Sequence, residues 1–289
     1  MNDEATAAVE RQPPEAAFAL LSNDLRVAML RALGEAADPL AFSELRERVG
    51  EADSGKFNYH LGKLTGNFVT QGDDGYELSL AGRRVYGAIL SGQYTADASV
   101  DPFEFEGPCP FCGHETLVAE YADERARLYC PDCEVWRNEF SFPPASLDQF
   151  ERAALPAAFD RWMLATVVKV LQGFCANCGG RVDGTLVPTE SDLPMDLAAR
   201  FECRRCGDEL RSSPTLPVLF DPTAVAFFEA HGVDVFADPS WRYFGPDDEF
   251  AVSTADGDEP TATVRVALGD DELTATVGPD VRVTDVRVE

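Results

Sequence analysis

The chain is short of lysine: only Lys56, Lys63 and Lys169 occur among 289 residues, against twenty-one arginines. Histidine is equally scarce, with His60, His114 and His231 far apart. That excludes a zinc-hydrolase helix motif, which needs two histidines one helical turn apart. A glycine-rich phosphate loop and a nucleophile elbow are missing too, so the chain is not expected to be an enzyme. The longest apolar run, Trp162 to Phe174, contains Lys169 and is too short to cross a bilayer. Met1 to Gln12 is acidic and has no apolar core segment, so no signal peptide is expected. No cysteine lies outside a Cys-x-x-Cys pair, and thiols in metal-type spacing fit a reducing cytoplasm better than an oxidising compartment.

Acids outnumber bases 51 to 24, a net charge of −27. An acidic surface starved of lysine, on an otherwise ordinary apolar composition, resembles the bias of salt-in halophilic archaea. Most of the charge then reports the solvent and says little about partners. In molar salt the Debye length falls to about 3 Å, so such a surface costs little in self-repulsion. A chain of this length holds two or more domains with real cores.

All eight cysteines fall into four pairs: Cys109/Cys112, Cys130/Cys133, Cys175/Cys178 and Cys203/Cys206. Each pair sets two sulfurs about one tetrahedral edge apart, and two pairs together close a four-thiolate cage. Seventeen residues separate the first two pairs and twenty-four the second two, room for a strand, a turn and a returning strand. The first cysteines of the two units lie 66 residues apart, as in a duplicated module. Both units resemble the zinc ribbons of transcription proteins, which implies two structural Zn²⁺ ions. Iron in an all-thiolate cage and a redox- or metal-sensing role remain alternatives. No cysteine occurs in residues 1–108. His114 is a bystander beside the first pair.

Apolar residues at three- and four-residue steps, Phe18, Leu21, Leu25, Met29 and Leu33, predict a helix from Glu15 to Gly34. A second helix follows Pro39 and stops at Gly50. A third, capped by Asp53 or Ser54, buries Phe57, Leu61 and Leu64. Asn67 to Gln71 and Tyr76 to Ser79 flank a Gly72-Asp73-Asp74-Gly75 turn as a hairpin, and Ala81 to Leu90 closes the module as a helix. The stretches LSNDLRVAMLRAL (21–33), FSELRERVG (42–50), SGKFNYHLGKL (54–64) and GYELSLAGRRVYGAI (75–89) resemble the ArsR-type winged-helix regulators of archaea. That resemblance, over roughly residues 15–92, implies double-stranded DNA as the ligand and a homodimer reading two half-sites.

On the third helix, 100° per residue turns Gly55, Lys56, Tyr59, Gly62 and Lys63 outward, with Asn58 on the flank. Two glycines there cost about 1 kcal/mol each relative to alanine but permit close approach to another surface. Ser54, Lys56, Asn58, Tyr59 and Lys63 are the candidate base and phosphate contacts. Arg83 and Arg84 on the closing helix either reach phosphate or decorate the surface, and His60 packs or caps. From Ser54 to Ala96 only three acids face four bases, whereas residues 1–100 carry 15 acids and 9 bases.

Leu147 to Leu171 reads as a helix interrupted or kinked at Pro156. Its apolar face (Phe159, Trp162, Met163, Thr166, Val167, Val170, Leu171) suits an internal core or a dimer seam. Asp221 to His231 reads as a short amphipathic helix. From Glu249 onward, alternation of Val with Thr or Arg predicts an antiparallel meander with polar turns at 256–258 and 269–271.

The expected fold class is α+β: an N-terminal winged helix-turn-helix, two four-cysteine zinc-ribbon modules joined by a helix, and a C-terminal antiparallel β-meander. The expected segments are a disordered 1–14, the DNA-binding domain 15–95, ribbons at 103–142 and 173–215, the connecting helix 146–172, and a short helix with β-rich region at 216–289. The expected function is DNA-binding transcription regulation in the cytoplasm, with no membrane contact. An alternative is an adapter of the basal machinery that contacts RNA polymerase. It rests on resemblance to archaeal transcription factor E, which joins a winged helix to one ribbon where this chain has two.

Overall fold

The structure, a computed structural model, describes residues 12–133, 135–189, 196–243, 249–255 and 260–289. The chain divides into two compact units, 1–96 and 97–289. The expectations for the N-terminal stretch up to Arg11 and for the turn at 256–258 lie outside the described residues.

In the first unit, the single helix expected over 15–34 is two: α1 (Pro14–Ala19) and α2 (Asp24–Gly34). The break has a local cause. Asn23 is extended, with its side chain accepting from the Arg26 N–H, and the Ser22 hydroxyl donates to the Ala19 carbonyl. These short polar side chains offer the backbone an alternative to helix and start α2 afresh. α3 (Phe42–Val49) stops at Gly50, whose φ of 69° favours glycine. α4 (Ser54–Leu64) is capped by Asp53, which accepts from the Gly55 and Lys56 N–H groups. β1 (Val69–Gly72) and β2 (Gly75–Leu78) pair antiparallel with Gly72 opposite Gly75, leaving a two-residue turn. α5 (Leu80–Leu90) starts on its Ser79 cap. At Gly82 a Cβ would fall 2.0 Å from the Phe68 carbonyl oxygen, so this helix packs backbone to backbone where only glycine fits. Met29, Leu30, Leu45, Phe57, Leu61, Leu64 and Val69 form the buried core.

Among the described residues, the second unit shows three antiparallel sheets. The first is β3 (Val100–Glu106), β4 (Thr116–Ala122), β5 (Arg125–Tyr129) and β6 (Arg137–Ser141), paired in chain order. The expected strands at 116–121 and 136–142 are its second and fourth members. β5 is the returning strand for which the cysteine spacing leaves room, and β3 lies before the first cysteine pair, outside the patterns read from the sequence. Two short 3₁₀ turns, Pro144–Gln149 and Arg152–Ala154, precede α6 (Leu155–Leu171). Pro156 therefore does not interrupt a helix begun at Leu147. It sits in the first turn, where its missing N–H costs nothing and its fixed φ suits the start.

The second sheet is β7 (Val182–Pro188), β8 (Leu197–Cys203) and β9 (Glu209–Ser212), followed by α7 (Thr215–Leu219) and α8 (Pro222–Ala230), the latter capped by Asp221. The third is the meander β10 (Glu249–Ala255), β11 (Thr261–Leu268), β12 (Asp271–Val277) and β13 (Val283–Val288), in the order the alternation predicts. Ala262, Val264, Val266 and Leu268 point inward, while Arg265 faces water. The second and third sheets share one core: Leu186, Ala199 and Phe201 pack in the same cluster as Val264, Leu273 and Val281. The Leu186 N–H donates to the Pro279 carbonyl at 3.0 Å, across the seam.

α6 serves two cores. Leu155 and Phe159 join the first sheet's cluster with Leu117, Tyr121 and Phe142, while Leu164 and Val170 join the shared core. Its apolar face is thus largely internal, although Trp162 stays partly exposed with its indole N–H on the Ser141 carbonyl. Among the described residues no helix is long and apolar enough to cross a membrane.

Asp160, fully buried on α6, accepts from the backbone N–H of Ser240 at 3.0 Å and from the Ser240 hydroxyl. It pins the 3₁₀ turn Ser240–Arg242, whose Trp241 lies over Gly107 and edge-on to Phe105. Burial, the largest influence, raises the pKa of Asp160 against the opposing Ser240 hydrogen bonds. A carboxyl with a raised folded pKa adds most to stability while protonated, below its unfolded value of about 4, and that part fades as pH rises through the folded value. Asp160→Ala is expected to destabilise by about 2 kcal/mol in urea unfolding, by stranding the two half-buried donors of Ser240. The advantage of wild type over the non-ionising Asp160→Asn is expected to shrink as pH rises from about 4 towards neutrality.

Candidate metal centres and the exposed face of the third long helix

Three of the four Cys-x-x-Cys segments are tight turns closed by their own backbone. The Gly113, Gly179 and Gly207 N–H groups donate to the Cys109, Cys175 and Cys203 carbonyls at 2.9, 3.1 and 3.0 Å. All three glycines have φ near 70°, so the glycine after the second cysteine lets the chain reverse without strain. The Cys109 N–H donates onward to the His114 carbonyl, while the His114 side chain is exposed and belongs to neither cluster, as a bystander would.

The turns bring the eight cysteines into two groups of four: Cys109, Cys112, Cys130 and Cys133, and Cys175, Cys178, Cys203 and Cys206. Within each group all sulfurs lie within 4.8 Å of one another. Cys109–Cys133 and Cys112–Cys130 stand 3.7 Å apart, as does Cys175–Cys206, and Cys178–Cys203 stand 3.5 Å apart. A tetrahedron with metal–sulfur bonds of about 2.3 Å has an edge of about 3.8 Å. The spacing is therefore that of ligands around one central ion, and the residues present fit a structural metal with no open coordination position. When bound, the ion cross-links loops that are remote in sequence.

Backbone dipoles prepare the sulfurs. The Cys178 and Gly180 N–H groups point at Cys175 and Cys178, and the Arg205 N–H points at Cys203. Hydrogen bonds from the Cys206 and Arg205 backbone pull the Cys203 thiol down to about 6. Burial opposes ionisation at Cys133, but the Trp136 and Val135 N–H groups prevail and bring it to about 7. Burial pushes Cys109 and Cys175 up to about 12. The two directions belong to one conflict: neighbouring sulfurs cannot all carry charge unless a cation sits among them. Asp208, unforeseen in the sequence, adds a carboxylate 3.4 Å from the Cys175 sulfur.

α4 presents the sidedness its periodicity implies. Phe57, Leu61 and Leu64 are buried, while Ser54, Gly55, Lys56, Asn58, Tyr59, Gly62 and Lys63 are exposed. His60 is half-buried and edge-on to Tyr59, in keeping with packing. Lys63 holds its ammonium 5.5 Å from the centre of the Tyr59 ring. Lys56 is not free: its Nζ lies 2.7 Å from Glu51, whose side chain is only 15% exposed. Glu51 also accepts from the Asp53 N–H. The pair holds Glu51 below the usual carboxylate range and Lys56 above the usual lysine value. Glu51 escaped the sequence reading because it lies in the turn before the helix, outside its periodicity. Arg83 and Arg84 sit exposed on α5, apart from this set. Arg83 donates to the Leu78 carbonyl and lies 3.4 Å from Glu77, and Arg84 has no side-chain partner among the described residues.

Elemental analysis of purified protein is expected to find two metal ions per chain. Cys130→Ser or Cys203→Ser is each expected to lower that number to one, leaving the other cage loaded.

Comparison with known proteins returns two family models. One, described as a Domain of unknown function (DUF7347), matches residues 14–89, nearly the whole described part of the first unit. No curated protein and no solved structure matches the chain. The other, described as a Domain of unknown function (DUF7351), matches residues 106–283, taking in all eight cysteines, α6 and most of the meander. Because that match spans more than half of the chain, the protein belongs to the DUF7351 family.

Proposed function

We propose that the protein is a DNA-binding transcription regulator of the winged helix-turn-helix type, resembling the ArsR group, with two zinc-stabilised cages in its accessory unit. One observation carries the proposal. α4 is anchored by fully buried Phe57, Leu61 and Leu64 and leaves a face of glycine, tyrosine and lysine open to solvent. A helix of that kind, followed by a two-stranded hairpin, can enter a major groove while the hairpin meets the neighbouring backbone. Ser54, Asn58, Tyr59 and Lys63 are the base and phosphate contacts, Lys56 and Arg84 reach phosphate, and Arg83 contributes through the hairpin. Zinc is the proposed ion because closed four-thiolate tetrahedra suit it and need no redox partner. A homodimer reading two half-sites completes the scheme.

The Lys56–Glu51 pair favours a second reading, since it reduces the free positive charge on α4. An adapter of the basal transcription machinery, similar to transcription factor E, would use the same unit against RNA polymerase. Pull-down from native lysate separates the two: polymerase subunits point to the adapter, one enriched DNA motif to the regulator.

Lys56→Ala/Tyr59→Ala protein is expected to lose at least tenfold in affinity for its selected site in footprinting, with metal content unchanged; wild-type protection would overturn the proposal. Glu51→Gln releases Lys56 and is expected to strengthen binding to random duplex. Its log–log salt dependence should steepen by about one phosphate contact, read by titration at several salt concentrations.

A further inference from the structure

We propose that the solvent face beside the second four-cysteine cage binds single-stranded nucleic acid, through stacking on Phe174 and phosphate contacts from the arginines around it. This goes beyond the α4 reading and does not rest on it.

Phe174, directly before Cys175, is 56% exposed and lies between the end of α6 and the second four-cysteine cage. An antiparallel bridge pairs it with Arg181, so the two side chains project on the same side. The Arg204 N–H donates to the Arg181 carbonyl at 3.0 Å, which brings a second arginine alongside. Arg181 and Arg204 share a single carboxylate, Asp183. Arg205 is exposed and makes no side-chain bond among the described residues, and Lys169 donates only to the Ala176 carbonyl. Farther along the sheet the bases are matched: Arg200 and Arg211 lie against Glu202 and Glu209. Residues 169–183 and 197–212 together hold six bases and four acids, in a chain of net charge −27.

The metal does not require these cations. A divalent ion with four thiolates carries a charge of about −2 in either cage. The first cage has the same ligands, yet its segments, Cys-Pro-Phe-Cys-Gly-His and Cys-Pro-Asp-Cys-Glu, contain no lysine or arginine. Arg204 and Arg205 inside the second cage's Cys203–Cys206 segment are therefore surplus to holding the ion, even with Asp208 beside it.

An exposed aromatic ring amid guanidinium groups suits a polyanion that also offers flat bases. Phosphates meet the cations, and bases stack on ring and guanidinium planes. A duplex hides its base faces and would leave Phe174 without a partner. An acidic peptide would meet the charge but not the ring.

The test uses the full chain, metal-loaded, with fluorescein-labelled oligo-dT and oligo-U of about twenty nucleotides, the scale of a few single-strand site sizes. Fluorescence anisotropy is expected to show binding by the wild type. Phe174→Ala/Arg205→Ala should weaken it by roughly tenfold or more, and Phe174→Tyr should retain it. Tyr59→Ala/Lys63→Ala, which alters only α4, should leave it unchanged. If Phe174→Ala/Arg205→Ala no longer holds two metal ions, Phe174→Leu, which keeps the apolar bulk without the ring, is expected to show the loss instead. The proposal is overturned by no binding in the wild type, by equal affinity after removal of the ring, or by loss confined to the α4 variant. Displacement by polyglutamate as effective as by unlabelled oligonucleotide would also overturn it, in favour of an acidic protein partner.

Discussion

Four sulfurs held within 4.8 Å of one another impose the constraint on which the second unit depends. At such distances like charges repel strongly, and burial of Cys109 and Cys175 adds a desolvation cost to their ionisation. The backbone nonetheless aims N–H groups at these sulfurs, which favours thiolate. A cation at the centre satisfies both demands at once. Each cage ties the start of a sheet to its far side: Cys130 and Cys133 join β5 to β6, and Cys203 and Cys206 join β8 to β9. Sheets of three and four short strands bury little apolar area on their own, so such cross-links matter more here than in a large core.

The cages do not stand as separate beads. α6 contributes its first turns to the core beneath the first sheet and its last turns to the core shared by the second sheet and the meander. The buried Asp160–Ser240 contact adds a polar fastening between α6 and the segment that carries Trp241 onto Gly107. The boundaries of the two matched family models agree with this partition, one within residues 1–96 and the other within 97–289.

Charge is distributed against the background of the chain. With a net −27, each surviving cation either has a carboxylate beside it or stands out. Lys56 is the paired case, held by Glu51 at the start of α4. Lys63 with Tyr59 on the same helix, and Arg205 near the exposed Phe174 beside the second cage, are among the open cases in the described residues. An acidic surface makes such islands conspicuous; under the functions proposed above, long-range attraction to nucleic acid would be weak and short-range complementarity would have to supply the affinity.

Cysteine spacing, the α4 stripe and the meander were legible in the sequence because each is a local periodic pattern with one physical solution. Cys-x-x-Cys-Gly closes by its own hydrogen bonds, Phe57, Leu61 and Leu64 share a helical face, and alternation from Thr261 onward demands a strand. The break at Leu20–Asn23 was hidden because apolar periodicity continues through it while Ser22 and Asn23 redirect the backbone. Pro156 misled for the opposite reason: the same residue interrupts a helix or begins one, depending on where the chain before it goes. By itself, then, the sequence determined the ligand set of each cage and the two-sidedness of its helices and strands, since these follow from neighbours along the chain. Only the tertiary structure decided that α6 spans two cores, that Asp160 meets Ser240, and that Glu51 holds Lys56 while Phe174 is left uncovered. Those outcomes depend on which surfaces remain after packing, and no interval along the chain encodes that.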